Sequence, residues 1–469
     1  MRGIDAAGIY LPRARLTTDE IGEAWGTAHA SGIDRKAVPA ADEDALTMAV
    51  GAAERALGNV SIDRSSVSLV AAATTTPPLA EGEFLARLVR MLALPEDVAG
   101  AVSTQHTAAG GEALARALDA DGPALVVAAD CPEGEPADAD HPLGAGAAAF
   151  VIAEDAAVPI RDIAWHSDEA PGVRFRPRDE REVDSLGITT YEREAVRAAV
   201  TEAVTDLAVD ASEATAAALH QRDGRFPYRV AGDLPLSNEA VAAGTVVDRV
   251  GDAGAATVPI GLLAALAGIE EGETTVGGFF GGGSAVAVGL ASGLPVAGLD
   301  DLDGGEAIGY TEYLRKRGYV VDGEVAGGGA NVSLPNWRRS LDQRYRLLAG
   351  RCPECGGVTF PPRGACQACH ARVEFERFEA PRRGTIRALT VIGQGGAPPE
   401  FAELQQREGA YAVAIVALES ETGTVTLPAQ LTDTDPEAVT VGDTVRATIR
   451  RIYTQEGIPR YGVKFRPEG

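Results

Sequence analysis

Residues 144–154, GAGAAAFVIAE, and residues 281–290, GGGSAVAVGL, are glycine-led runs of small and apolar residues that begin 137 positions apart. Apolar runs of this length without polar alternation read as strands covered on both faces of a sheet. Their surroundings repeat as well. Ahead of the first come a short buried strand at 67–73 (VSLVAAA), a small-residue helix at 108–118 (AAGGEALARAL) and a buried strand at 124–130 (ALVVAAD). Ahead of the second come a strand at 214–219 ending at His220, a small-residue helix at 258–269 and a strand at 274–280. The same order of elements in two segments predicts an internal duplication, with an α/β half over 1–155 and another over 156–300.

The rest of the 469-residue chain has a different character. Residues 301–345 are rich in Gly and Asp, then Arg, and with Gly327–Ala330 and Pro335 they read as a linker. Cysteines cluster at 346–380. Over 381–469 apolar stretches at 384–392, 411–419, 424–431, 444–452 and 460–465 are separated by turns, the pattern of a small β-barrel.

Composition excludes several classes. Hydrophobic residues make up 45% and charged residues 23%, ordinary for a globular chain and unlike a disordered one. The longest apolar run, 258–269, falls short of the ~20 residues that span a bilayer. The opening MRGIDAAGIYLPRARL lacks the apolar core of a signal peptide, so a cytoplasmic location is expected. The net charge is −26, and only three of the 42 basic residues are lysines. That profile is typical of halophilic proteins, whose acidic surface keeps them hydrated in concentrated salt. The charge is uneven: residues 1–336 carry −28, and residues 337–469 carry +2. An acidic body argues against duplex nucleic acid as a partner. Tyr453 and Tyr461 near Arg450 and Arg451 are barrel residues that would stack on bases, although the same arginines would equally meet CoA phosphates.

Cys352-Pro-Glu-Cys355 and Cys366-Gln-Ala-Cys369 form two knuckles separated by ten residues. Four thiolates at this spacing close a tetrahedral zinc site, structural because no coordination position stays open. His370 is an alternative ligand, and disulfides are disfavoured in a cytosolic chain. The fifth cysteine, Cys131, follows a buried strand and reads as a small core residue.

The first 320 residues resemble the archaeal type of hydroxymethylglutaryl-CoA synthase, in the thiolase superfamily. The resemblance is carried by GIYLPRARLTTDEIGEAWG, AVPAADEDALTMAVGAAERAL (37–57), AAGGEALARAL, GAGAAAFVIA and HQRDGRFPYRVA (220–231). Residues 345–469 resemble the zinc-ribbon plus OB-fold module found with thiolase-like proteins, through CPECGGVTFPPRGACQAC, RRGTIRALTVI and YGVKFRP. The resemblance implies a thiolase-like fold of duplicated αβαβα layers, a rubredoxin-like zinc ribbon and an OB-fold. It also implies an acyl-CoA ligand, so that coenzyme A enters as part of the substrate, and a homodimer.

It further implies which residues carry the chemistry, and here the chain departs from the family. The nucleophilic cysteine at the start of the central helix falls on Thr107. A hydroxyl is far less acidic than a thiol, and a helix terminus worth ~0.3–1 kcal/mol does not ionise it. His106 is adjacent but is expected to point elsewhere. The acid/base carboxylate falls on Asp140, one methylene shorter than the family's residue. An amide donor of the family falls on Asp252, whose charge would repel an enolate unless the group is protonated. His220 matches the family's catalytic histidine, Gln221 continues the match, and Arg225 falls where a basic residue meets the CoA phosphates.

Three readings follow. The first is non-covalent aldol or retro-aldol chemistry on an acyl-CoA, with His220 and Asp140 or Asp252 as acid/base groups. The second is a non-catalytic scaffold that binds CoA and organises a thiolase partner. The third is a true hydroxymethylglutaryl-CoA synthase, against which Thr107 weighs.

Overall fold

The computed structural model describes residues 1–320, 332–393 and 395–468; the Gly327–Ala330 part of the expected linker lies outside them. The chain forms two compact units, one of Met1–Pro39 and Asp44–Tyr313, the other of Ala40–Glu43 and Leu314–Gly469.

The first unit is built on the strands β1 (Gly3–Tyr10), β2 (Leu69–Ala73), β3 (Ala99–Ser103), β4 (Ala124–Asp130), β5 (Gly146–Ala153), β6 (Val158–Ser167), β7 (Ala214–Leu219), β8 (Thr274–Gly281) and β9 (Ser284–Ala291). They join in the order β3-β2-β4-β5-β1-β6-β9-β8-β7, with the short strand Val296–Ala297 also on β1. The duplication is written in the pairing. β2 is parallel to β4, β4 antiparallel to β5, and β5 antiparallel to β1. In the second half β7 is parallel to β8, β8 antiparallel to β9, and β9 antiparallel to β6. The halves meet where Gly3 and Ile4 pair with Pro159 and Val158.

Helices α1 (Ala45–Gly58) and α3 (Thr189–Thr205) pack on the two halves from outside. Helices α2 (Ala109–Ala117) and α4 (Thr257–Ala267) each touch strands of both halves and form the middle layer. A helix apolar all round belongs in such an interior, and α4 is buried continuously from Thr257 to Leu263. The small residues of α2 set the spacing. A Cβ on Gly110 would lie 2.7 Å from Pro259 Cγ, and one on Gly111 would lie 2.9 Å from Phe279 and Val286.

The second glycine-led run differs from expectation at its start. Gly281 ends β8 and pairs with Ser284, leaving Gly282 and Gly283 as a two-residue hairpin turn. Their φ values of 59° and 82° are the left-handed pair that such a turn requires and that glycine adopts without strain. Residues 301–345, read as a linker, carry the short helices Tyr310–Arg317, Leu334–Arg339 and Leu341–Arg346 in their described portions.

In the second unit β10 (Leu348–Arg351), β11 (Val358–Thr359) and β12 (Glu376–Glu379) make a small ribbon sheet. Strands β13 (Arg383–Ile392), β14 (Tyr411–Ser420), β15 (Gly423–Gln430), β16 (Thr444–Gln455) and β17 (Ile458–Pro467) join in the order β15-β14-β13-β16-β17. A bridge between Leu431 and Phe465 nearly closes the barrel. Its apolar core includes Ile386, Val416, Leu418, Val445 and Phe465. Beside that core Asp42 accepts from Lys464 Nζ at 2.8 Å and from Thr432 Oγ1 at 3.0 Å. Burial opposes its ionisation, yet Lys464 and Arg450 prevail and hold its pKa below the usual value.

One buried group ties the first unit's loops. Asp130, at the end of β4, is fully buried. Its Oδ1 accepts from the Thr74 and Thr76 hydroxyls and the Thr75 and Thr76 amides at 2.7–2.9 Å. Its Oδ2 accepts from the Thr75 hydroxyl at 2.8 Å and the Ala255 amide at 2.7 Å. Asp130→Asn turns an NH2 group toward some of these donors. It is expected to lower unfolding stability by ~3 kcal/mol or more, read as a lower urea midpoint at fixed salt.

Candidate functional site

A cavity of about 780 Å³ opens in the first unit, within the ~300–1,000 Å³ usual for ligand sites. Thr107, His220, Asp252, Arg174, Arg222 and Gly281 are among its lining residues. Strand ends and loops of both halves converge here. Asp252 N donates to Pro142 O at 2.7 Å and Gly144 N donates to Asp252 O at 3.0 Å, stitching the loop before β5 to the loop before α4.

Thr107 stands just ahead of α2. The chain enters through Gln105, which holds a left-handed φ of 78°, a conformation uncommon outside glycine. The Thr107 hydroxyl donates to Phe280 O at 2.6 Å, so its proton is committed to backbone. Close approach is possible because Gly281 has no side chain: a Cβ there would lie 2.5 Å from Thr107 N. His106 was expected to point elsewhere but also lines the cavity, where its Nε2 lies 3.3 Å from Glu112 Oε1. Cysteine is absent from the lining residues. Cys131 instead packs by Thr76, its Sγ 3.8 Å from the Thr76 hydroxyl.

His220 follows β7, and its ring meets Phe226 and Phe280 edge-on at centroid distances of 5.9 and 5.7 Å. Burial, opposed by Asp252 and reinforced by Arg174 and Arg222, brings its pKa down to about 4. The imidazole is therefore neutral at pH 7, able to accept a proton or, as the other tautomer, donate a hydrogen bond.

Asp252 is not the bare charge that its sequence position suggested. Its Oδ2 accepts from Arg174 Nη1 at 2.6 Å, and its Oδ1 accepts from Gly254 N at 2.9 Å and Thr257 Oγ1 at 3.1 Å. The guanidinium compensates the carboxylate. Arg174 opens the run RFRPRDER (174–181), from which Arg176 and Arg178 also line the cavity. Arg176 donates to Thr75 O. Sequence reasoning passed over these arginines; the available signal was four of them in eight residues within a strongly acidic half.

Three expected site residues are placed elsewhere. Asp140 is 1% exposed and turned away from the cavity, because Lys36 Nζ donates to its Oδ2 at 2.8 Å and Tyr313 donates to the same oxygen. A buried lysine holds this carboxylate, which lies outside the cavity's lining. Gln221 spends its amide on backbone: Nε2 donates to Leu219 O and Gly244 O, and Oε1 accepts from Val246 N and Val247 N. Arg225 is exposed and outside the lining, whereas Arg222 packs over Phe226, pairs with Glu192 and faces the cavity. The structure therefore brings Thr107, His220 and Asp252 to one cavity, and leaves Asp140, Gln221 and Arg225 out of its lining.

The second unit gathers Cys352, Cys355, Cys366 and Cys369, whose sulfurs all lie within 4.8 Å of one another. The Cys352–Cys369 and Cys355–Cys366 separations are 3.8 and 3.7 Å. Zn–S bonds of ~2.3 Å in a tetrahedron imply sulfur–sulfur edges of ~3.8 Å, so the donor set fits zinc. The two knuckles thus close on each other as their spacing required.

Comparisons with known proteins agree with this division. Residues 339–376 match the family described as ChsH2, rubredoxin-like zinc ribbon domain, and residues 378–450 match ChsH2, C-terminal OB-fold domain. A hydroxymethylglutaryl-CoA synthase of Caldivirga maquilingensis is 30% identical over 297 residues, covering 60% of this chain and 85% of that one. The Methanopyrus kandleri enzyme is 29% identical over 339 residues, covering 69% and 96%. A DUF35 domain-containing scaffold protein of Methanocaldococcus jannaschii is 35% identical over 134 residues, covering 28% of this chain and 88% of that one. Among solved structures, an HMG-CoA synthase complexed with CoA superposes with a TM-score of 0.61 at 16% identity, covering 71% of this chain and 94% of that one. FabH of Pseudomonas aeruginosa gives 0.56 at 22%, covering 63% and 99%. Among the described residues, no helix is long and apolar enough to cross a membrane. With its thiolase-like fold and its appended zinc ribbon and OB-fold, the chain belongs to the hydroxymethylglutaryl-CoA synthase family.

Proposed function

We propose that the chain makes or breaks a carbon–carbon bond next to the thioester of an acyl-CoA without forming an acyl-enzyme. The observation that carries this reading is the Thr107 hydroxyl bonded to Phe280 O in a cavity whose lining holds no cysteine. An acyl-enzyme needs a nucleophile activated by a base or a lowered pKa, whereas this hydroxyl donates to a backbone carbonyl. Acid/base chemistry needs only a positioned group of suitable proton affinity.

In the cleaving direction neutral His220 takes the proton of a β-hydroxyl. The Cα–Cβ bond breaks, an aldehyde or ketone leaves, and the electron pair becomes the thioester enolate. The imidazolium returns the proton to Cα, leaving a shortened acyl-CoA. Arg174, Arg176, Arg178 and Arg222 supply positive potential to the enolate and the CoA phosphates, with Asp252 fixing Arg174. A homodimer is expected from family likeness. Likeness of the second unit to a scaffold protein favours a second reading, in which the chain organises a thiolase and carries no chemistry. In either case Cys352, Cys355, Cys366 and Cys369 would hold a structural zinc.

Incubation with β-hydroxyacyl-CoA thioesters in molar salt is expected to release an aldehyde or ketone and a shortened acyl-CoA. His220→Ala is expected to lower kcat/KM by ~10²–10⁴-fold, whereas Thr107→Ala stays within about threefold, because a structural hydroxyl is not consumed. An acyl adduct on Thr107 in a mass spectrum would overturn the non-covalent reading. Absence of turnover together with co-purification of a thiolase would establish the scaffold.

The pH profile is a separate check. Because the folded imidazole protonates only near pH 4, kcat/KM is expected to hold through pH 6 and fall as pH drops toward about 4. An acid limb at the ~6.5 of a free histidine would remove His220 from the role.

Metal analysis is expected to find about one zinc per chain. Cys366→Ser is expected to lose it and to lower the unfolding temperature of the second unit, leaving that of the first unchanged.

A further inference from the structure

The second unit contains a cavity of its own, about 440 Å³, walled chiefly by apolar side chains that include Phe360, Ile392, Phe401, Val413 and Leu427. It lies apart from the four cysteines, none of which lines it. Its charged lining residue is Arg344. The Arg344 guanidinium stacks on the Trp337 ring at 4.1 Å, and Arg460 lies over the same ring at 5.2 Å. Arg344 Nε donates to Ser340 Oγ at 2.8 Å. Among the described residues neither Arg344 nor Arg460 has a carboxylate within ion-pair distance, although the chain carries 68 acidic groups. Arg344 is half-buried; Arg460, behind the same ring and outside the cavity's lining, is 6% exposed with its Nε buried and without a partner. Burial first, and then Arg363 and Arg460, hold the Arg344 pKa below its usual value. Glu400, the carboxylate in this neighbourhood, acts on Tyr453 and Tyr411.

Buried cations are costly unless an anion compensates them. Apolar walls of this size want an apolar ligand body. Both requirements are met by one molecule that has an apolar chain and an anionic head. We propose that this cavity is a second ligand site, which takes an acyl or alkyl chain ending in a carboxylate or phosphate, with the chain between Phe360, Val413 and Leu427 and the head on Arg344. The inference does not rest on chemistry at His220.

Trp337 makes the site readable, since it is 6% exposed and stacked on Arg344, whereas Trp25 and Trp165 are 46% and 49% exposed. The full zinc-loaded chain is titrated with a bromodecanoate, a bromodecyl phosphate and a bromodecanol, following quenching of the buried tryptophan. Saturable quenching by both anions, at least tenfold tighter than by the alcohol, is expected. Arg344→Gln should weaken the anions about tenfold, Arg344→Lys should retain them, and Val413→Phe should abolish quenching with the circular dichroism spectrum unchanged. A bromoacyl-CoA arm separates the sources: tighter binding than the free acid, with the same Arg344 dependence, assigns the head to CoA phosphates, and weaker binding assigns it to a free carboxylate. Equal quenching by alcohol and anions, indifference to Arg344→Gln, or absence of saturation would each overturn the proposal. His220→Ala should leave these titrations unchanged, so failure here is distinguishable from failure of the aldol reading.

Discussion

The site of the first unit depends on a carboxyl group that stands outside the cavity's lining. Asp130 collects six donors from the Thr74–Thr76 turn and from Ala255. A buried polar group is stable only when its hydrogen bonds are made, and the segments that supply them are held together by it. This group therefore fixes the turn after β2 in one half and the approach to α4 in the other. Asp252 and Gly254 stand on that same approach. With the backbone bonds between Pro142–Gly144 and Asp252, it makes the cavity's frame rigid on both sides of the duplication.

The fold was legible where burial is continuous. The strands at 124–130 and 214–219 fall at their expected residues, and the others agree within a few. A strand covered on both faces cannot hide its character behind polar alternation. The two Cys knuckles were legible because local spacing alone prepares each half of a tetrahedron. Strands β1, β3 and β6 and helices α1 and α3 were not singled out, β1 although it is buried over nearly its whole length. β6 mixes exposed and buried positions, and α3 is polar over most of its surface, so neither carries a strong periodic signal.

The site was only partly legible, for a physical reason. Alignment to a family places a residue along the chain but does not aim its side chain. Asp140 lies at its expected position, yet a lysine 104 residues away turns it from the cavity. Asp252 read as a repulsive charge until Arg174, 78 residues distant, supplied the counter-ion. Both outcomes follow from long-range ion pairs, which no local pattern encodes. His220 was legible because its aim is set locally: a strand end fixes its backbone, and Phe226 and Phe280 fix its ring.

The proposed non-covalent reaction divides the work among the cavity's groups differently from a covalent one. In a covalent mechanism the central helix lowers a thiol pKa and the histidine assists the acyl group it carries. With Thr107 bonded to Phe280 O, the helix terminus faces a hydroxyl that has no thiolate equivalent. In the proposed reaction proton handling falls to the imidazole, and its burial favours the neutral base over the protonated form. Surplus positive potential would deepen that preference, while the Asp252 carboxylate limits it. In the proposed reaction the pairing of Arg174 with Asp252 is a balance: enough cation to receive an enolate, enough anion to keep the guanidinium in place. A lone carboxylate would repel the intermediate, and a lone arginine would be held by nothing in the loop.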